Sequence, residues 1–297
     1  MYDIIQYRRK ETDQPMEQKK RTLPQLAREY PVVTCIAIVV VYVICRRTTH
    51  WLFAQVFSAI PVREILDIIW PVLIVMASGC LMAYRKRGFC KTLVMGIPLI
   101  MYGLFFFIGN IKTLVAEPGI EWKSPMMMIT SILPMLAVGF REESVFRGAA
   151  VNVMTDKYAK DRRGILFIVL FTGFCFGIMH MQNVFIGQSL SATVSQTINA
   201  ACLGTTFAAI YLRGGNLWAL MLIHSFIDIG GMVKGLLTKT YDMDGIAMLA
   251  SKKDTFDTVS FVLKLAIGAV YVLIAMFLVR KSKCDEIIAN YQKNEEV

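Results

Sequence analysis

Two neighbouring carboxylates and two guanidinium groups interrupt an apolar run that begins at Ser124, in the order Arg141, Glu142, Glu143 and Arg147. Ionisable groups in such a run cost at least a few kcal/mol each unless paired or hydrated, so they point to a function. On a helix Glu143 and Arg147 stand four apart and can pair, whereas Glu142 is turned by about 100° and is left free. Two of the three histidines, His180 and His224, also lie inside apolar runs. Phe176 shares a helix face with His180, and Asp228 shares one with His224, each at a spacing of four. One buried histidine alone is most simply a hydrogen-bonded interior residue. Two histidines, an unpaired glutamate and an aspartate on polar-bearing spans favour a shared site. Peptide hydrolysis would use such a set: a base for water, a donor to the tetrahedral oxyanion, and a proton for the departing amine.

These side chains need membrane helices to hold them. The 297 residues are 56% hydrophobic and 18% charged with a mean hydropathy of +0.52, far too apolar for a soluble domain of this length. The expected fold is all-α, a polytopic membrane bundle of about eight helices. Apolar runs predict spans over about 31–45, 64–84, 92–111, 124–150, 164–185, 189–213, 216–237 and 258–280. The first is short, and the segment from Trp51 to Ile60 either extends it or lies in the interface. Residues 1–30 and 281–297 read as tails flanking a single transmembrane domain, 31–280, with its core at about 124–237.

The net charge of +10 is carried by short basic clusters between apolar runs. That pattern fits loops on the cytoplasmic side of a cell membrane and disfavours nucleic acid as a partner. It places both termini in the cytoplasm; Arg46 and Arg47 are the exception, falling on the outer side. Seven cysteines without a CxxC pair read as small packing residues. Gly173 and Gly177 form a GxxxG pair for close helix approach, and the sixth span has a polar side of Ser195, Gln196, Asn199, Thr205 and Thr206.

EExxxR (Glu142, Glu143, Arg147), FxxxH (Phe176, His180) and HxxxD (His224, Asp228), in that order on successive spans, resemble the three motifs of the CPBP family of intramembrane proteases, the Abi or type II CAAX prenyl endopeptidase-like proteins. The resemblance covers about 124–237. It implies an eight-helix fold with a membrane-embedded site, where Glu142 and His180 activate a water and His224 with Asp228 stabilises the oxyanion. Glu143, Arg147 and Phe176 would support them. Many members carry Asn where this chain has Asp228, and an ionised Asp cannot donate to an oxyanion. Asp228 is then left to orient His224, to act protonated, or to ligate a metal.

The expected partners are the lipid bilayer and a membrane-associated peptide, whether a prenylated chain or a leader-bearing precursor. The sequence does not set the oligomeric state. No cofactor is favoured. The alternative enzyme is a zinc peptidase in which Glu142, His180, His224 and Asp228 are ligands, although no HExxH helix is present. The non-enzymatic alternatives are a transporter, for which no inverted repeat is visible, and a membrane scaffold. Helix rise raises one difficulty: Glu142 and His224 come out roughly 10–15 Å from their cytoplasmic ends, but His180 nearer 25 Å.

Overall fold

The computed structural model describes residues 21–56, 60–84, 88–241 and 258–292. The basic residues 85–87, most of the N-terminal tail and the loop from 242 to 257 lie outside the described residues. The helices are α1 (Leu23–Glu29), α2 (Pro31–Val56), α3 (Ile60–Ala77), α4 (Phe89–Met95), α5 (Ile97–Ala116), α6 (Pro125–Glu143), α7 (Asn152–Tyr158), α8 (Arg162–Met179), α9 (Leu190–Gly214), α10 (Leu217–Leu237), α11 (Thr258–Leu278) and α12 (Lys281–Gln292). The fold is therefore an all-α helical bundle. Among the described residues five helical segments are long and apolar enough to cross a membrane: Pro31–Leu52, Ile97–Ala116, Arg162–Ile186, Leu217–Leu237 and Phe261–Leu278.

Helix starts follow local chemistry. Ser124, Asp161, Ser189 and Asn216 each accept a hydrogen bond from a backbone N–H in the first turn of α6, α8, α9 and α10. Gly215 ends α9 at φ 82°, a left-handed conformation that glycine adopts without strain. Gly96 and Pro98 divide α4 from α5, splitting what reads as one span in the sequence.

Two elements differ from the sequence reading in ways that position the site. The first is α2, one unbroken helix from Pro31 to Val56: the segment from Trp51 extends the span, as one of the two expected paths had it, and what differs is the place of Arg46 and Arg47. Arg46 and Arg47 thus lie about 23 Å along a continuous helix. The Arg47 Nη2 donates to the carbonyl of Gln182 at 2.9 Å, so these arginines belong to the bundle and do not report a loop.

The second is the helix carrying Glu142 and Glu143, which does not stop near residue 150. It widens into a π-helix over Ser144–Val151 and continues as α7 to Tyr158. A π segment leaves backbone carbonyls poorly served, and here Asn152 compensates. Its Nδ2 donates to the carbonyls of Arg147 and Gly148 and to the Tyr211 hydroxyl, all at 2.9 Å. The longer helix removes the mismatch between Glu142 and His180, while His224 stays about 10 Å of rise from Leu217. Glu142 is about 24 Å of rise from Tyr158 and His180 about 27 Å from Arg162, so the two stand level.

Glycines bring the helices together at this level. A β-carbon on Gly139 of α6 would fall on Ser225 Oγ and the Met221 carbonyl of α10, and one on Gly177 of α8 would meet Ala201 and the Thr197 carbonyl of α9. The partner of the GxxxG pair is thus α9. At one end of the bundle Arg28 pairs with Asp156 at 2.9 Å, Lys91 with Glu286 at 2.8 Å, and Arg213 donates to the Leu278 carbonyl at 2.9 Å. At the other, Lys123 N–H donates to Leu237 O at 2.9 Å and Lys239 N–H to Glu121 O at 2.8 Å, tying α6 to α10.

Candidate active site

The charged groups of α6 meet α10 and α9 in the bundle interior. Glu143, with no exposed surface, takes the Arg147 Nη1 on Oε1 at 2.9 Å. The same oxygen lies 2.6 Å from His224 Nδ1. Arg147, 1% exposed, sends its Nη2 to the Gly204 carbonyl at 2.9 Å. Its guanidinium stands over the rings of Phe176 and Phe207, 4.7 and 5.1 Å from their centroids. A guanidinium so placed is held by a carboxylate, a carbonyl and two ring faces, which is what burial of a cation requires.

The His224 ring is fixed in position and in tautomer. Phe207 stacks on it with centroids 5.0 Å apart, and Phe176 meets it edge-on at 5.9 Å. With Arg147 keeping Glu143 an acceptor, Nδ1 carries the proton in that bond. Nε2 then faces away from Glu143, toward Glu142 Oε2 at 3.8 Å and Asp228 Oδ2 at 3.6 Å. Both separations exceed a hydrogen bond, so Nε2 stands beside the two carboxylates without bonding to either.

His180 is half-buried at the point where α8 tightens into a 3₁₀ turn over His180–Ile186. Its Nδ1 is 2.9 Å from the Phe176 carbonyl, an arrangement that gives Nδ1 the proton and leaves Nε2 to the interior. The Phe176 ring stands edge-on to it at 5.1 Å. Glu142, 6% exposed, feels the charge of His180, His224, Arg46 and Arg141.

The structure thus brings His224 together with Glu142, Glu143 and Asp228, and sets His180 within electrostatic reach of Glu142. It also alters one expectation about roles. Asp228 faces Nε2, while the nitrogen that sets the tautomer is held by Glu143, which the sequence offered only as a partner for Arg147. Phe207 and the Gly204 carbonyl carry no signal at all in the sequence, since an aromatic or a glycine in an apolar run reads as packing. A further cluster joins the site from the side: His50 Nε2 is 2.9 Å from Asp67 Oδ2, and Arg141 Nη1 is 3.7 Å from the same oxygen. Asp67 in an apolar run was a legible signal. Among the described residues no group of three or more His, Cys, Asp or Glu side chains converges as a metal shell.

Comparison with curated proteins and with solved structures returns no match. A family model does match, that of the type II CAAX prenyl endopeptidase Rce1-like proteins, over residues 124–230. That segment supplies Glu142, Glu143, Arg147, Phe176, His180, His224 and Asp228, the side chains of all three motifs. Over that segment the chain is similar to a family of CAAX-type intramembrane proteases, in keeping with the CPBP resemblance of its three motifs.

Proposed function

We propose that this protein hydrolyses a peptide bond of a membrane-associated peptide, with a water activated between Glu142 and His180 and no metal. The observation that supports it is a buried carboxylate within electrostatic reach of two oriented imidazoles, inside a helical bundle with segments long and apolar enough to cross a bilayer. In the reaction Glu142 takes a proton from water as the oxygen bonds to the carbonyl carbon, and the carbonyl π pair moves onto its oxygen. His180 Nε2 positions that water. His224, as an imidazolium, keeps Nδ1–H on Glu143 and offers Nε2–H to the oxyanion. On collapse the C–N bond breaks and the Glu142 proton leaves with the amine. Phe176 and Phe207 keep the surroundings of low polarity, which strengthens each of these contacts.

The zinc alternative would need Glu142, His180, His224 and Asp228 to converge on one point. Among the described residues no three such donors converge in this way, which favours the metal-free reading. The substrate class is a membrane-held precursor, prenylated or leader-bearing. Glu142→Gln keeps shape and removes the proton acceptor, so the purified variant should fold and bind peptide while cleavage falls by about 10²–10⁴-fold. Activity should survive prolonged chelation, and the protein should carry no stoichiometric metal. Zinc lost together with activity and restored on its return would overturn the mechanism. A biological effect retained in Glu142→Gln, with no bond cut by either form, would favour a scaffold.

A further inference from the structure

We infer that Tyr42 and Arg46 of α2, outside all three motifs and outside the matched segment, donate to the oxyanion formed in the reaction. The inference rests on the hydrolytic reading of the same site. Tyr42 is 1% exposed and packs in one cluster with Val145, Phe146, Phe176 and Met179, against the very helices that carry the motifs. Its hydroxyl nonetheless has no hydrogen-bond partner among the described residues. A buried O–H is costly to leave unmade, and such orphans in native interiors call for an occupant.

Arg46 stands one turn further on the same face of α2 and is half-buried. It makes no hydrogen bond, ion pair or ring contact among the described residues. Its neighbour Arg47, by contrast, bonds to the Gln182 carbonyl and covers the ring of Phe185. The Tyr42 hydroxyl and the Arg46 guanidinium both lie within electrostatic reach of Glu142. A neutral donor and a cation are therefore unengaged side by side, next to the group that activates the water.

The chemistry of the motif residues leaves a place for them. Asp228, when ionised, has no proton to offer, and His224 has a single N–H free once Nδ1 is committed to Glu143. The oxyanion gains a full negative charge in a site of low polarity, where each aimed donor counts for most. As the water oxygen bonds to carbon and its proton passes to Glu142, the carbonyl π pair moves onto oxygen. Tyr42 O–H and an Arg46 N–H meet it there, beside His224 Nε2–H. When the C–N bond breaks the pair returns to form the new carbonyl and both donors are released.

The test uses the full chain in lipid vesicles, a peptide that the wild type cleaves, and a phosphonate analogue of it that mimics the tetrahedral state. Tyr42→Phe removes an oxygen with no partner, so folded yield and thermal midpoint should stay as in wild type. The expected result is a fall in kcat of about 10²-fold with KM within about 2-fold, as for loss of one oxyanion donor. The phosphonate should bind more weakly by a similar factor while binding of the uncut peptide is unchanged. Arg46→Gln should behave in the same way, with part of the activity recovered in Arg46→Lys. Wild-type kcat in Tyr42→Phe, an effect on KM alone, or a loss of folded protein in step with activity would each overturn the inference. If the wild type cuts while Tyr42→Phe is unimpaired, only this inference fails; if the wild type cuts no peptide, the hydrolytic reading fails and takes it along.

Discussion

Arg147→Ala separates what holds the site together from what does its chemistry. The substitution removes the Nη1 bond to Glu143, the Nη2 bond to Gly204 O, and the contacts with the Phe176 and Phe207 rings. It leaves Glu143, wholly buried, as a carboxylate whose remaining partner is His224 Nδ1. Breaking one side of a buried pair typically costs about 3–5 kcal/mol, because the remaining charge is uncompensated. At about 2–4 °C per kcal/mol for a chain of this size, the thermal midpoint in detergent should fall by on the order of 10 °C. The double variant Arg147→Met with Glu143→Gln removes both charges and keeps most of the volume, a change that is often neutral or stabilising. Its midpoint should return to near that of wild type, yet peptide cleavage should stay low, since His224 loses the charged acceptor that orients its ring and stabilises its imidazolium. The assay pairs thermal unfolding with cleavage on the same preparations. A stable, fully active Arg147→Ala variant would refute the pairing argument, and full activity in the double variant would refute the role given to Glu143.

Other perturbations give independent checks. Gly177→Val would push its β-carbon into Ala201 and the Thr197 carbonyl, so α8 and α9 should separate at a cost of about 1–3 kcal/mol, read as a lower unfolding midpoint. Glu286, hydrogen-bonded by the Lys91 ammonium, is held down at about 2. Its folded value is depressed, so the tie between α12 and α4 should be present above the usual glutamate range of about 4.3 and be lost as pH falls from there through about 2. Hydrogen exchange in α12 should rise over that window in wild type and be high throughout in Lys91→Met. Lys157→Cys should resist labelling from outside the cell while a cysteine introduced in the segment 239–257 is labelled; the reverse would invert the expected orientation.

Apolar run length and periodicity were enough to locate the helices here, and chemical incongruity singled out Glu142, His180 and His224 as candidates. The boundaries that failed have specific causes. The break at Gly96 has a local mark in Pro98 that the apolar run hides, whereas the run of α6 through a π-helix into α7 depends on a tertiary partner, Asn152 with Tyr211, which no local pattern encodes. The pairing of Glu143 with His224 joins residues 81 apart, so neither helix announces it. Arg46 and Arg47 misled because a pair of arginines at the end of an apolar run has the same composition whether it marks a loop or enters a bundle interior. Tyr42 was invisible because a tyrosine among valines and isoleucines looks like packing until its hydroxyl is seen to be unpaired.

The charges gathered at the level of Glu142 have a consequence for how this site can vary. With His224 as an imidazolium, Asp67, Glu142, Glu143 and Asp228 are matched by Arg46, Arg141, Arg147 and His224, so the formal charges of these eight groups sum to zero. An electroneutral interior is costly to build but cheap to keep, because field lines close within it and little reaches the lipid. Any single change of sign leaves a monopole in hydrocarbon, whereas compensated exchanges do not. Sequences descending from this one should therefore cross between charge arrangements in coupled steps, with an acid lost on one helix matched by a base lost on another, and with α2 and α3 drifting in concert with the motif helices although they carry no motif of their own.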